Sequence, residues 1–186
     1  MPHKLRGCAS VLLLASMATA GTNSGALASA QNKTNLIQYY PKVGPRVVSF
    51  SNAELVALGM KLLQTQVPGA ATEPQLQLSE GAAKGTILVD FSKLNRIASS
   101  PLSWLLHGPH IVVASVQVYS KNGTMRVHPT EVRIGSVALT GAALDYAIVN
   151  ILLPYYPDAI VDRDFLLPAT INRIQVTPTQ ALVYRN

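Results

Sequence analysis

Residues His110–Ile134 read HIVVASVQVYSKNGTMRVHPTEVRI, and the dipeptide Asn122-Gly123 near their middle decides how this chain folds. A two-residue hairpin turn needs positive φ at both central positions, and Asn-Gly meets that need best. Before the turn, Val112, Ala114, Val116 and Val118 alternate onto one face, the period of a half-buried strand. Pairing Lys121 with Thr124 sets Val118 opposite Val127 and Val116 opposite Pro129. Continued unbroken, that register would place Glu131 opposite Ala114 on the apolar face. One extra residue near His128–Thr130 restores Val132 and Ile134 to it, so the sequence predicts a β-bulge there, a place where Pro129 is tolerated.

On the C-terminal side, Gly141–Leu153 (GAALDYAIVNILL) is apolar around nearly its whole circumference and ends at Pro154. Asp145 and Asn150, its strongly polar residues, point about 140° apart at 100° per residue, which predicts no broad solvent face. Such a helix is expected either to fill a core or to line an apolar cavity. On the N-terminal side, Ser51-Asn52-Ala53-Glu54 fits a capping box, with Phe50 and Leu55 as the bracketing staple. Leu55, Leu58, Leu62 and Leu63 follow at helical spacing, predicting a helix over 52–66 that stops before Pro68. Residues 75–91 predict two strands, or one bent strand, around Gly81–Gly85. Ser92–His107 predicts a short helix and an irregular segment, 158–168 a loop, and Thr170–Tyr184 a closing hairpin around Thr177–Gln180. The fold class that follows is α+β: one domain over 47–186, with a twisted, curved antiparallel sheet of about four to six strands packed on two principal helices.

The first residues read as an export leader. Lys4 and Arg6 precede the apolar run Cys8–Ala20, and Ala28-Ser29-Ala30 offers an A-x-A cut before Gln31, with Ala18-Thr19-Ala20 as a second. The run is shorter than the ~20 residues a spanning helix needs, which favours cleavage over an inner-membrane anchor. Residues 1–30 are thus expected as signal peptide and 31–46 as a flexible arm. No cysteine follows Cys8, so the expected destination, periplasm or extracellular space, is reached without disulfides. Beyond residue 30 the chain carries 13 Lys and Arg against 9 Asp and Glu. That mild excess suits peripheral contact with an anionic membrane surface. The basic residues are scattered with no interleaved aromatics, which argues against nucleic acid.

Catalytic signatures are missing: there is no G-x-S-x-G elbow, phosphate-binding glycine loop or H-E-x-x-H. His107 and His110 are separated by Gly108-Pro109, and no cysteine is at hand to complete a metal site. Asp158, Asp162 and Asp164 are too few oxygen ligands, with Arg163 among them, for a calcium loop. No metal, cofactor or catalytic residue is therefore expected. An envelope hydrolase would require His107, His110 or His128 to meet an acidic residue in a cleft.

What remains is apolar surface. Leu144, Ile148, Ile151 and Leu152 could line a pocket opposite the sheet valines Val112, Val116 and Val118, with few polar groups, as apolar ligand sites do. Tyr39-Tyr40-Pro41 and Tyr155-Tyr156-Pro157 would suit the rim of such a cavity. The segments FSNAELVALGMKLL (50–63), VRIGSVALTGAALDYAIVNILLPYYP (132–157) and LPATINRIQVTPTQALVYR (167–185), in this order, resemble the tubular lipid-binding (TULIP-like) group and its small exported bacterial members. The chain differs from that pattern at Val56, where an asparagine is frequent, and at Thr140, where a proline is frequent. The resemblance implies lipid held between a curved sheet and a long helix, with Leu55, Leu58 and Leu62 of the first helix and Leu144, Ile148 and Leu152 of the second facing the acyl chain. The expected function is a non-enzymatic lipid- or hydrophobe-binding protein of the envelope; the alternative is a structural or assembly protein with no ligand.

Overall fold

The computed structural model describes residues 24–40, 43–94, 106–153 and 161–186. Its frame is the central hairpin, β4 (Pro109–Lys121) and β5 (Thr124–Ile134). Lys121 faces Thr124, Val118 faces Val127 and Val116 faces Pro129, and the register then slips so that Ser115 faces Glu131 and Val112 faces Ile134. Thr130 is the extra residue, and its Oγ1 donates to Ser115 O at 3.2 Å. The bulge keeps Val132 and Ile134 on the apolar face, as their spacing demands. Asn122 and Gly123 both take positive φ, 51° and 75°.

Strands β2 (Ala71–Ser79) and β3 (Ala82–Asp90) extend the sheet from β4. They are two strands joined at Glu80-Gly81, not one bent strand. On the other edge, β6 (Val137–Leu139) pairs with the C-terminal end of β5 and β7 (Phe165–Leu166) with its N-terminal end. The result is a six-stranded antiparallel sheet, curved but not closed.

The closing hairpin, β8 (Ile171–Val176) and β9 (Gln180–Arg185), does not join this sheet. With β1 (Val47–Ser51) it forms a second, three-stranded antiparallel sheet in the order β1-β9-β8. Backbone bonds stitch β8 across the hairpin tips: Gly81 N donates to Val176 O at 3.0 Å and Gly123 N to Asn172 O at 2.6 Å. Ser120 Oγ accepts from Ile174 N at 2.9 Å. A residue such as Gly81, with φ of +63°, serves this junction because its own carbonyl also accepts from Val118 N.

Three helices complete the described architecture. Helix α1 (Ser24–Tyr39) begins inside the segment expected as leader and occupies the first nine residues of the expected arm, which is helical there instead of flexible. Ala30 and Ile37, one heptad apart, are buried, and Leu36 packs beside them. Arg185, itself buried, donates from Nη1 to Val43 O (2.7 Å) and Pro45 O (3.0 Å) and from Nη2 to Tyr40 O. Its guanidinium thereby meets the carbonyl end of α1, where the helix dipole favours a cation.

Helix α2 (Asn52–Gln66) has the extent its spacing predicts, with both halves of the Ser51/Glu54 capping box formed. Helix α3 runs as α-helix over Gly141–Ala147 and continues as π-helix over Ile148–Leu152. It departs from the expectation of an all-round buried helix. Leu144 and Ala147 are buried, whereas Ala142, Ala143, Asp145, Val149 and Asn150 are exposed. Two of the exposed residues are alanines, whose small side chains make that face cheap to wet. Residues 95–105 of the expected helix-and-loop segment, Tyr155-Tyr156-Pro157 and Asp158 lie outside the described residues.

Candidate apolar site

Opposed residues in antiparallel strands share a face, so the pairing assembles the inner face of the six-stranded sheet row by row. One row is Leu78–Ala83–Val116–Pro129. The next is Leu76–Gly85–Ala114–Val132–Leu139, and the one beyond is Ile87–Val112–Ile134–Val137. The face is apolar throughout. Gly85 and Ala114 are the smallest facing pair on the β3–β4 ladder and lie in the middle row.

Two separate cores form on either side of that pair. The first gathers Ala30 and Ile37 of α1, Leu55 and Val56 of α2, and the inward residues of the three-stranded sheet. Leu76, Leu78, Val116, Val118 and Val127 join them from the large sheet. The second gathers Phe91, Leu106, Ile134, Leu139, Leu144 and Ala147, with Val112, Val132 and Ile148 packed at its margin.

The described members of the ten candidate lining residues, Leu62 apart, divide between these two cores. Leu55, Val116 and Val118 are buried in the first core, and Leu58 packs against it half-buried. Leu62 is half-buried on the same helix. Leu144, Val112 and Ile148 belong to the second core. The side chains of Ile151 and Leu152 lie outside the described residues. The division has a simple cause: α2 packs against α1, β1 and β2, while α3 packs against β6. Each helix thus covers its own end of the sheet. Between the two ends, Ala114, Val112 and Val132 are half-buried.

A buried polar cluster, not anticipated from the sequence, ties α1 to α2. The side chain of Glu54 is 7% exposed and sits 2.6 Å from Lys33 Nζ. It also accepts from Ser29 Oγ at 2.5 Å and from Ser51 N at 2.7 Å. Burial alone would raise its pKa; the hydrogen bonds from Lys33, Ser29 and Ser51, with the charge of Lys33, outweigh that and hold the carboxyl below its ordinary value. Lys33 also lies over the Phe50 ring, 5.8 Å from its centroid. The signal in the sequence was the spacing Ala30, Lys33, Ile37, one helical stripe hidden by the reading of that segment as leader and arm.

The outer face of the hairpin collects the remaining chemistry. His128 Nδ1 lies 2.7 Å from Asp162 Oδ1, with the two side chains 43% and 59% exposed. Arg126 Nε bonds Asp164 Oδ1 at 2.9 Å. Two members of the acidic cluster thus clip their loop onto β5. A histidine does meet an acid, as a hydrolase would require, but on an open strand face flanked by Arg126 and Thr130. His110 instead contacts its own loop, Nε2 to His107 O at 2.9 Å. Among the described residues, no group of three or more His, Cys, Asp or Glu is placed to hold a metal ion, and no helix is long and apolar enough to cross a membrane. Compared with known protein families, curated proteins and solved structures, the chain matches none.

Proposed function

We propose that this chain is an exported, non-enzymatic protein that binds a lipid or another elongated apolar molecule along the inner face of its six-stranded sheet. The observation that carries the reading is the apolar strip from Val118 to Val112, unbroken across two cores, with the small pair Gly85–Ala114 and the half-buried Val112 and Val132 between them. Seven strand residues span about 20 Å, a length that suits an acyl chain. Each methylene buried there contributes ~0.8 kcal/mol, so about a dozen outweigh the entropic cost of association. The order of the segments resembling the tubular lipid-binding group supports the same reading, as does the π-helical turn Ile148–Leu152, a feature frequent at functional sites. The mild positive charge suits an anionic headgroup or membrane surface.

A structural envelope protein without ligand is the second reading, favoured by the closure of the first core around Leu55 and Val116. Native mass spectrometry of protein released from periplasm without detergent separates the two. The expected result is a bound acyl species, lost by Ala114→Leu, which adds bulk at the smallest facing pair of the strip, and by Ile148→Asp. An apo mass with no uptake of added phospholipid or fatty acid refutes the binding role, and folded variants that keep their lipid refute the assigned face.

A further inference from the structure

We infer that the exported chain is cut after Ala20 and begins at Gly21, so that Ser24–Ala30 belong to the folded protein and not to its leader. This rests on the reading of the first residues as an export signal, and moves its end by ten residues.

Helix α1 runs through the alternative cut site without a break, from Ser24 to Tyr39. Ala30, the residue that would be the last of the leader, is 0% exposed inside the first core. Ser29, its neighbour, donates to Glu54, and Ala30 O accepts from Thr34 Oγ1 at 2.8 Å. A cut after Ala30 removes all of these groups. It leaves nine helical residues, Gln31–Tyr39, about two and a half turns, where isolated helices are marginal. It also creates an ammonium at residue 31, at the helix end whose dipole disfavours a cation and two residues from Lys33. The hole left by Ala30 would have to be refilled by solvent or by the end of the chain.

A cut after Ala20 spares the whole helix. Ala18-Thr19-Ala20 puts small residues at both positions an A-x-A site uses, at the C-terminal end of the apolar run. Gly21-Thr22-Asn23 then precedes the first residue of α1. Leaders are removed while the chain is still unfolded, so the fold does not shield Ala30 from cleavage. The selection acts on the product: only the longer one keeps Ser29, which donates to Glu54, and Ala30, which fills its place in the first core.

The test expresses the full chain with its own leader in a Gram-negative bacterium and reads the N-terminus of the periplasmic product by intact mass and sequencing. Gly21 as first residue is the expected result. Gln31 as first residue overturns the inference and leaves export standing; an uncut chain overturns both. Ala20→Leu is expected to accumulate precursor, whereas Ala28→Leu, at an exposed position of α1, is expected to be processed as before; the reverse pattern overturns the inference. Purified chains starting at Gly21 and at Gln31 should differ in Tm by about 5 °C or more in favour of the longer, given the 2–4 °C per kcal/mol typical of this size. Equal Tm values overturn the claim that Ser24–Ala30 are part of the fold.

Discussion

Replacing Glu54 by alanine removes the hub through which α1, β1 and α2 meet. The backbone N–H of Ser51 loses a charged acceptor at 2.7 Å, an interaction of about 1.5–3 kcal/mol. The Ser29 hydroxyl loses its acceptor, at about 1 kcal/mol. Lys33 loses its counter-ion, but its side chain is 31% exposed, so water takes over much of that role and the loss is about 1 kcal/mol or less. Relief of the carboxylate's own desolvation offsets part of the sum. The net expectation is a loss of ~2–4 kcal/mol for Glu54→Ala and ~1–2 kcal/mol for Glu54→Gln, which keeps an acceptor for Ser51. Urea unfolding at pH 7 measures both, and the cycle with Lys33→Met should give a coupling of ~1 kcal/mol. The folded carboxyl titrates below its ordinary value of 4.5, so its stabilisation is complete above that pH and fades as pH falls through the folded value. As pH falls below 4.5 the native chain should therefore lose stability faster than Glu54→Gln. A cost under about 0.5 kcal/mol for the alanine variant, or strict additivity with Lys33→Met, would refute the view that this cluster holds α1 in place.

Two further changes separate buried from exposed polar contacts. Arg185→Ala uncaps the carbonyl end of α1, takes the guanidinium from Val43 O and Pro45 O and leaves Tyr40 O with Val43 N alone; it should cost ~2–3 kcal/mol in urea unfolding and raise amide exchange in the last turn of α1. His128→Ala removes a pair exposed on both sides and should change stability by less than ~1 kcal/mol, with the hairpin register unchanged by NMR.

The local elements were legible because their determinants are local. Asn122-Gly123 fixes a turn, the alternation of Val112 to Val118 fixes a face, and the position of Glu131 forces a bulge. Ser51 and Glu54 fix the start of α2 within a residue. The destination of each element was harder to read, because it depends on contacts between distant residues. The closing hairpin has the same strand pattern whether it extends the large sheet or, as here, leaves with β1; Gly81–Val176 and Gly123–Asn172 decide the matter, and neither pair is marked in the sequence. The same limit divided the candidate site. Leu55 and Leu144 are both apolar helix residues facing the same sheet, and composition alone cannot tell one cavity from two cores. The segment before β1 is ambiguous for another reason. Small and apolar residues serve a leader's cut site and a close helix contact equally well, so Ala28-Ser29-Ala30 satisfied both descriptions. Lys33 was the discriminating residue: a cation three positions beyond Ala30 is ordinary in a flexible arm. On a helix it shares a stripe with Ala30 and Ile37, and there it calls for a buried acid, which Glu54 supplies at 2.6 Å.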